Sequence, residues 1–244
     1  MRKILSFFAV SFLFFSSLAH ASPEQWAYSG ATGPEHWADV NPSYHSCREG
    51  KNQSPVNLTN FVEADLPVLT FQYQTQAKEM LHNGHTIRIN MAEGSQLGVD
   101  GLTLSVKQFH FHSPSENQIN GESFPMEAHI VHGDGKGNFA VIGVMFREGE
   151  ANPTLESLWA NMPTHSGEYR GLETVDLSSL LPENRDYYRF TGSLTTPPCF
   201  EGLRWLVMKN PITASKAQIE QFQKVMGHAN NRPIQPINAR VVLQ

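Results

Sequence analysis

Several things are missing from this 244-residue chain, and each absence removes a class of protein. After the first twenty residues no stretch approaches the roughly 20 consecutive apolar residues that a membrane helix requires, so no span is expected there. No unit recurs at a fixed period and no low-complexity run interrupts the sequence, which excludes solenoids and long linkers. Positive charge is scarce. Eighteen Lys and Arg against 23 Asp and Glu leave a net charge of −5, a balance that repels phosphate backbones and anionic lipid and argues against nucleic-acid binding. The HExxH pattern of zinc proteases does not occur, and only two cysteines are present, Cys47 and Cys199.

What is present begins at the N-terminus. Arg2 and Lys3 precede an apolar run from Ile4 to Leu18, and Ala19-His20-Ala21 follows as a small-x-small cleavage site. This reads as a signal peptide over residues 1–21, leaving residues 22–244 as one domain outside the cytoplasm, periplasmic or secreted. Loss of Arg2 and Lys3 takes the net charge from −5 to −7. In an exported chain an even pair of cysteines most economically forms one disulfide, Cys47 to Cys199, worth up to about 4–5 kcal/mol by loop-closure entropy. Two free thiols are the alternative. A bridge at Cys199 would pin the segment Leu194-Thr195-Thr196-Pro197-Pro198.

Short β-branched or alternating stretches bounded by Gly, Asn and Pro dominate the rest and predict a sheet-rich mixed α/β fold with a few peripheral helices. Strands are expected at His85–Asn90, Val106–His112, Met126–His132, Phe139–Phe146 and Leu203–Lys209. One helix should start at Asn152-Pro153, a capping residue followed by proline, with Leu155, Leu158, Trp159 and Met162 on its apolar face. A second, capped by Thr213 or Ser215, would bury Ile219, Phe222, Val225 and Met226.

Within Gln108-Phe109-His110-Phe111-His112, strand alternation sends Gln108, His110 and His112 to one face and the two phenylalanines to the other. Two imidazoles about 6.6 Å apart at Cα can converge on one ion. Glu127-Ala128-His129 repeats the pattern, and if the two strands are neighbours three neutral nitrogens meet. Three protein ligands with a fourth position left to water is the usual form of a catalytic zinc site. Gln108 and Glu127, two residues before His110 and His129, are placed to hold the second ring nitrogens. The histidines at 36, 45, 82, 132, 165 and 228 read as structural or solvated.

Taken with Gly33–Trp37, Gln53–Val56, Asn83-Gly84-His85, Pro114–Asn117, Gly192–Pro198, Trp205 and Asn231-Arg232-Pro233, these residues resemble an α-class carbonic anhydrase from about Trp26 to Arg240, in particular its exported bacterial members. The resemblance implies a central twisted, mostly antiparallel β-sheet and one Zn2+ per chain on His110, His112 and His129. It implies reversible hydration of carbon dioxide to bicarbonate and a proton by attack of zinc-bound hydroxide. Glu116 and Thr195 would aim the hydroxide, since an ionised carboxylate can only accept and takes the threonine proton. Val131, Val141, Leu194, Leu203 and Trp205 would line the substrate niche, with Thr196 helping to place bicarbonate. His85 would relay the proton to buffer through waters.

Two positions depart from the family pattern. Arg88 stands where relatives often carry a small polar side chain, and Asn117 replaces a histidine common in its motif. The partners implied are CO2, bicarbonate and water, and a homodimer is compatible with the sequence. A competing reading, a non-catalytic periplasmic zinc-binding or adhesion module on the same scaffold, is disfavoured by the retention of Glu116, Thr195 and His85. A zinc hydrolase of larger substrates lacks a second carboxylate as general base.

Overall fold

Eleven residues from Leu102 to His112 form the longest strand in the computed structural model, which describes residues 25–244. The expected signal peptide at 1–21 lies outside the described residues. Eight strands give the sheet its continuous path: β1 (Ala77–His82), β2 (Ile87–Met91), β3 (Leu102–His112), β4 (Met126–Gly133), β5 (Phe139–Glu148), β6 (Tyr169–Gly171), β7 (Tyr187–Ser193) and β8 (Glu201–Met208). Their order is β6-β1-β2-β3-β4-β5-β8-β7, and further short strands bring the sheet to eleven. Neighbours along this path run antiparallel except β5 and β8. The expected mostly antiparallel, sheet-dominated fold is therefore what forms.

Register decides what the sheet presents. Between Val106 and Gln108 the pairing of β3 with β4 shifts by one residue. Such a bulge reverses the faces of the residues that follow it. Leu104 and Val106 before it share one core with Phe109 and Phe111 after it, and Gln108, His110 and His112 go to the opposite side. That first face is covered by the two longer helices, α3 (Pro153–Trp159) and α4 (Lys216–Met226), through Leu155, Leu158, Trp159, Ile219 and Phe222. The short turns α1 (Trp37–Val40) and α2 (Ser46–Glu49) lie nearer the N-terminus.

Both longer helices follow from local chemistry. Asn152 Oδ1 accepts from the amides of Thr154 and Leu155 with Pro153 in the first turn. Of the two candidate caps for α4, Ser215 is the one used, in a reciprocal capping box with Gln218, and Gly227 ends the helix at φ 71°. Met162 lies beyond the end of α3 yet remains buried.

The strand boundaries differ from expectation mainly at their ends. His85 is not in a strand: Asn83 Oδ1 accepts from the amides of His85 and Thr86, forming a turn that delays β2 to Ile87. Lys209 falls just past β8. Cys47 and Cys199 form the expected disulfide, packed beside Trp37.

Candidate active site

The second face of the sheet carries the three histidines. His110 and His129 are direct partners across β3 and β4, and His112 faces Glu127 one step along the same ladder. One ring nitrogen from each of His110, His112 and His129 lies within 4.8 Å of the others. Which nitrogens these are follows from what holds the rest. His110 Nδ1 is 2.8 Å from Gln108 Oε1, as expected, and His112 Nδ1 is 2.7 Å from the carbonyl of Asn230. His129 Nε2 stands 2.9 Å from Glu127 Oε1, a contact too poorly aligned to satisfy the ring nitrogen fully. The nitrogens left to converge are Nε2 of His110, Nε2 of His112 and Nδ1 of His129.

Electrostatics keeps these lone pairs available. Loss of hydration, reinforced by His112, His129 and Arg88, drives His110 well below the ordinary imidazole range. Burial and then His112 do the same to His129, and burial pushes His112 down to about 4 against the opposing Asn230 carbonyl. All three rings are thus neutral near pH 7, the form in which imidazole ligates a metal. His112 Nε2 is buried without any hydrogen-bond partner. An enclosed donor set of this kind, neutral, nitrogen-only and oriented from behind, fits a tetrahedral zinc with one open position.

The residues behind the ligands form a second layer. Glu127 is fully buried; its Oε2 accepts from the amides of Glu116 and Asn117, and its Oε1 from Asn117 Nδ2. Asn117 is therefore a holder of Glu127, and its own Oδ1 accepts from the Val56 amide. Gly143, opposite His129 on β5, leaves the room this requires, because a Cβ there would sit 3.0 Å from Glu127 Oε1. Glu116 accepts from the Arg232 amide through Oε1, and its Oε2 lies 3.5 Å from His112 Nε2 and 3.8 Å from His129 Nδ1. Burial pushes its carboxyl well up, while the Arg232 amide and the Thr195 hydroxyl pull it back toward the charged form.

Thr195 is buried in the loop between β7 and β8. That loop is tied by Leu194 N to Phe200 O, Cys199 N to Thr196 O and Trp205 Nε1 to Ser193 O. Val141, Leu203 and Trp205 share a second hydrophobic cluster, with Val131 and Leu194 partly buried against it. Trp205 meets the His129 ring edge to face at 4.8 Å between centroids. His85 lies apart from the triad, flat against Trp26 at 3.6 Å between ring centroids.

Asn230, Arg232 and Trp26 were not among the residues chosen from the sequence for the site, although all three fall within the region of resemblance and Arg232 within one of its motifs. Arg232 threads its buried guanidinium to Gln53 Oε1 and to the carbonyls of Ser54 and Cys47. Asn230 lies 118 residues from His112, and no periodicity links them.

A sheet face holding three neutral, converging histidines defines a mononuclear zinc enzyme with an open coordination position. The model of the eukaryotic-type carbonic anhydrase family matches residues 32–244, and the chain belongs to that family. It is 46% identical over 219 residues to a carbonic anhydrase of Pectobacterium atrosepticum, covering 89% of this chain and 90% of that one. A carbonic anhydrase of Neisseria gonorrhoeae is 46% identical over 231 residues, covering 94% and 92%. Among solved structures, the α-carbonic anhydrase of Thermovibrio ammonificans in complex with sulfanilamide superposes with a TM-score of 0.89 at 51% identity, covering 90% and 99%. The chain is accordingly an enzyme that interconverts CO2 and bicarbonate, with a three-histidine zinc site.

Proposed function

We propose that within this carbonic anhydrase His110, His112 and His129 bind one zinc per chain, that Glu116 and Thr195 orient the reactants, and that His85 exports the proton. The observation that carries the reading is the convergence of three neutral ring nitrogens within 4.8 Å. When bound, zinc supplies a Lewis acid that acidifies water at its open position, a chemistry for which carbonic anhydrases are the reference case.

The chain's own residues do the rest. A cation in the pocket, the Arg232 amide and the Thr195 hydroxyl all favour an ionised Glu116 over the neutral form that burial favours. An ionised Glu116 only accepts, so Thr195 gives it its single proton and turns a lone pair toward the pocket. Val131, Val141, Leu194, Leu203 and Trp205 exclude water beside it, where linear, uncharged CO2 loses no hydrogen bonds. Thr196 places the bicarbonate formed.

Stacked on Trp26, with His228 and His82 nearby, His85 has a pKa pushed down to about 4, burial being the main cause. Swinging off that face restores the range in which imidazole trades protons with buffer. We read residues 22–244 as one catalytic domain, exported behind the 1–21 segment to the periplasm or the exterior, a location in which the Cys47–Cys199 bridge persists. The chain supplies its own ligand triad, so a homodimer would add no ligand.

Stopped-flow CO2 hydration on purified protein, with and without a zinc chelator, tests this reading. Rapid hydration that vanishes on chelation and returns with about one zinc per chain is expected. Chelator-resistant activity would overturn it.

A further inference from the structure

Arg88 on β2 is the direct antiparallel partner of His110 on β3, so both side chains leave the same face of the sheet. Its Nε is buried and has no hydrogen-bond partner. The arginine ion pairs of the described residues use Arg48, Arg147, Arg170, Arg189 and Arg204 and leave Arg88 out. Two residues on, Asn90 occupies the same face and donates to Glu79 Oε1 at 2.7 Å, and that carboxylate makes no ion pair with Arg88. Arg88 thus stands on the sheet face that carries the three histidines, next to His110 across the ladder.

A partly buried cation without a counter-charge is costly to maintain unless an anion visits it. The reaction itself makes one, bicarbonate, whose planar oxygens match the fork of a guanidinium. We propose that Arg88 is a binding residue for small planar oxyanions, bicarbonate foremost, beside the metal ligands. The inference rests on the carbonic anhydrase reading and adds a subsite to it. The overall equilibrium fixes the ratio of kcat/KM in the two directions, so Arg88 cannot bias the direction of reaction. Its effect lies in bicarbonate affinity and in sensitivity to competing oxyanions.

The test uses the zinc-loaded enzyme, with bicarbonate binding measured by calorimetry and bicarbonate KM measured in the dehydration direction. Arg88→Gln should weaken bicarbonate binding about tenfold and raise KM similarly, with zinc content unchanged. Arg88→Met should do the same and guards against a defect peculiar to glutamine. Arg88→Lys keeps the charge but loses the fork, and should retain more affinity than either. Bicarbonate binding within twofold of wild type in both neutral variants, at full zinc occupancy, would overturn the proposal. A wild type that binds no zinc or hydrates CO2 no faster than buffer would instead overturn the underlying reading.

Discussion

His112 is locked by a residue 118 positions away: its Nδ1 sits 2.7 Å from the backbone carbonyl of Asn230, so Nε2 is the nitrogen that remains to meet His110 and His129. The Asn230 side chain fixes that carbonyl. Oδ1 accepts from the Ser113 amide, and Nδ2 donates to the carbonyls of Phe111 and His85. Asn230→Ala should leave the Ser113 amide and the His85 carbonyl without these partners and cost on the order of 2–4 kcal/mol of stability. With the orienting carbonyl loosened, zinc affinity should fall about 10–100-fold. Chelator competition and thermal unfolding measure the two effects, and unchanged zinc affinity would show that His112 needs no such partner.

Thr195 is expected to matter for turnover and not for metal retention, because the proposed role of its hydroxyl is to hold Glu116 and it is not among the converging ring nitrogens. Thr195→Ala should lower kcat/KM for hydration by about a hundredfold, the scale for losing one oriented hydrogen bond at a reacting centre. Zinc stoichiometry should stay at the wild-type value. Loss of both together would make Thr195 a structural residue of its loop.

Local chemistry made the central part of this molecule legible. Period-2 alternation in Gln108–His112 and Glu127–His129 put the three histidines on matching faces, the family resemblance implied that they are ligands, and Asn152-Pro153 marked the start of a helix. The Val106/Gln108 bulge was only half legible: Lys107-Gln108 sets two polar residues between Val106 and Phe109, but which backbone position is extra becomes visible only once Val131 and His132 supply a register. Asn230 escaped for a related reason: what it gives His112 is a backbone carbonyl, which every residue type carries. Asn117 and Arg88 showed as departures from a family pattern, but the contacts of the first and the lack of partners of the second are properties of packing.

The Cys47–Cys199 bridge closes a separation of 152 residues and by loop-closure entropy contributes up to about 5 kcal/mol. The loop between β7 and β8 also has three hydrogen bonds of its own, including Trp205 Nε1 to Ser193 O, and none of them involves a sulfur of the bridge. The double variant Cys47→Ser, Cys199→Ser should therefore unfold roughly 10 °C lower. At 25 °C its hydration rate per zinc should remain within about twofold of wild type. A rate collapse at temperatures where circular dichroism still reports a folded protein would show that the bridge positions Thr195 directly.

His132 separates acid sensitivity of the fold from that of the metal site. It faces the core side of β4 and is fully buried, with Nε2 2.8 Å from the Tyr73 hydroxyl. Burial pushes its pKa down to about 4, against the opposing pull of the Ala140 and Ile130 backbone. An unfolded histidine titrates near 6.5, so as pH falls below that value the unfolded chain takes up a proton that the folded chain refuses. The stability tied to neutral His132 is thus complete above about pH 6.5 and is lost as pH falls through about 4. Between pH 7.5 and 4.5 this amounts to about 2–3 kcal/mol. Comparing wild type with His132→Gln cancels the groups they share, the zinc ligands included. The variant should be less stable at pH 7.5, having lost a buried hydrogen bond, yet should lose about 2–3 kcal/mol less on acidification. Parallel stability curves for the two proteins in urea titrations at pH 7.5 and 4.5 would mean that His132 takes up its proton inside the fold.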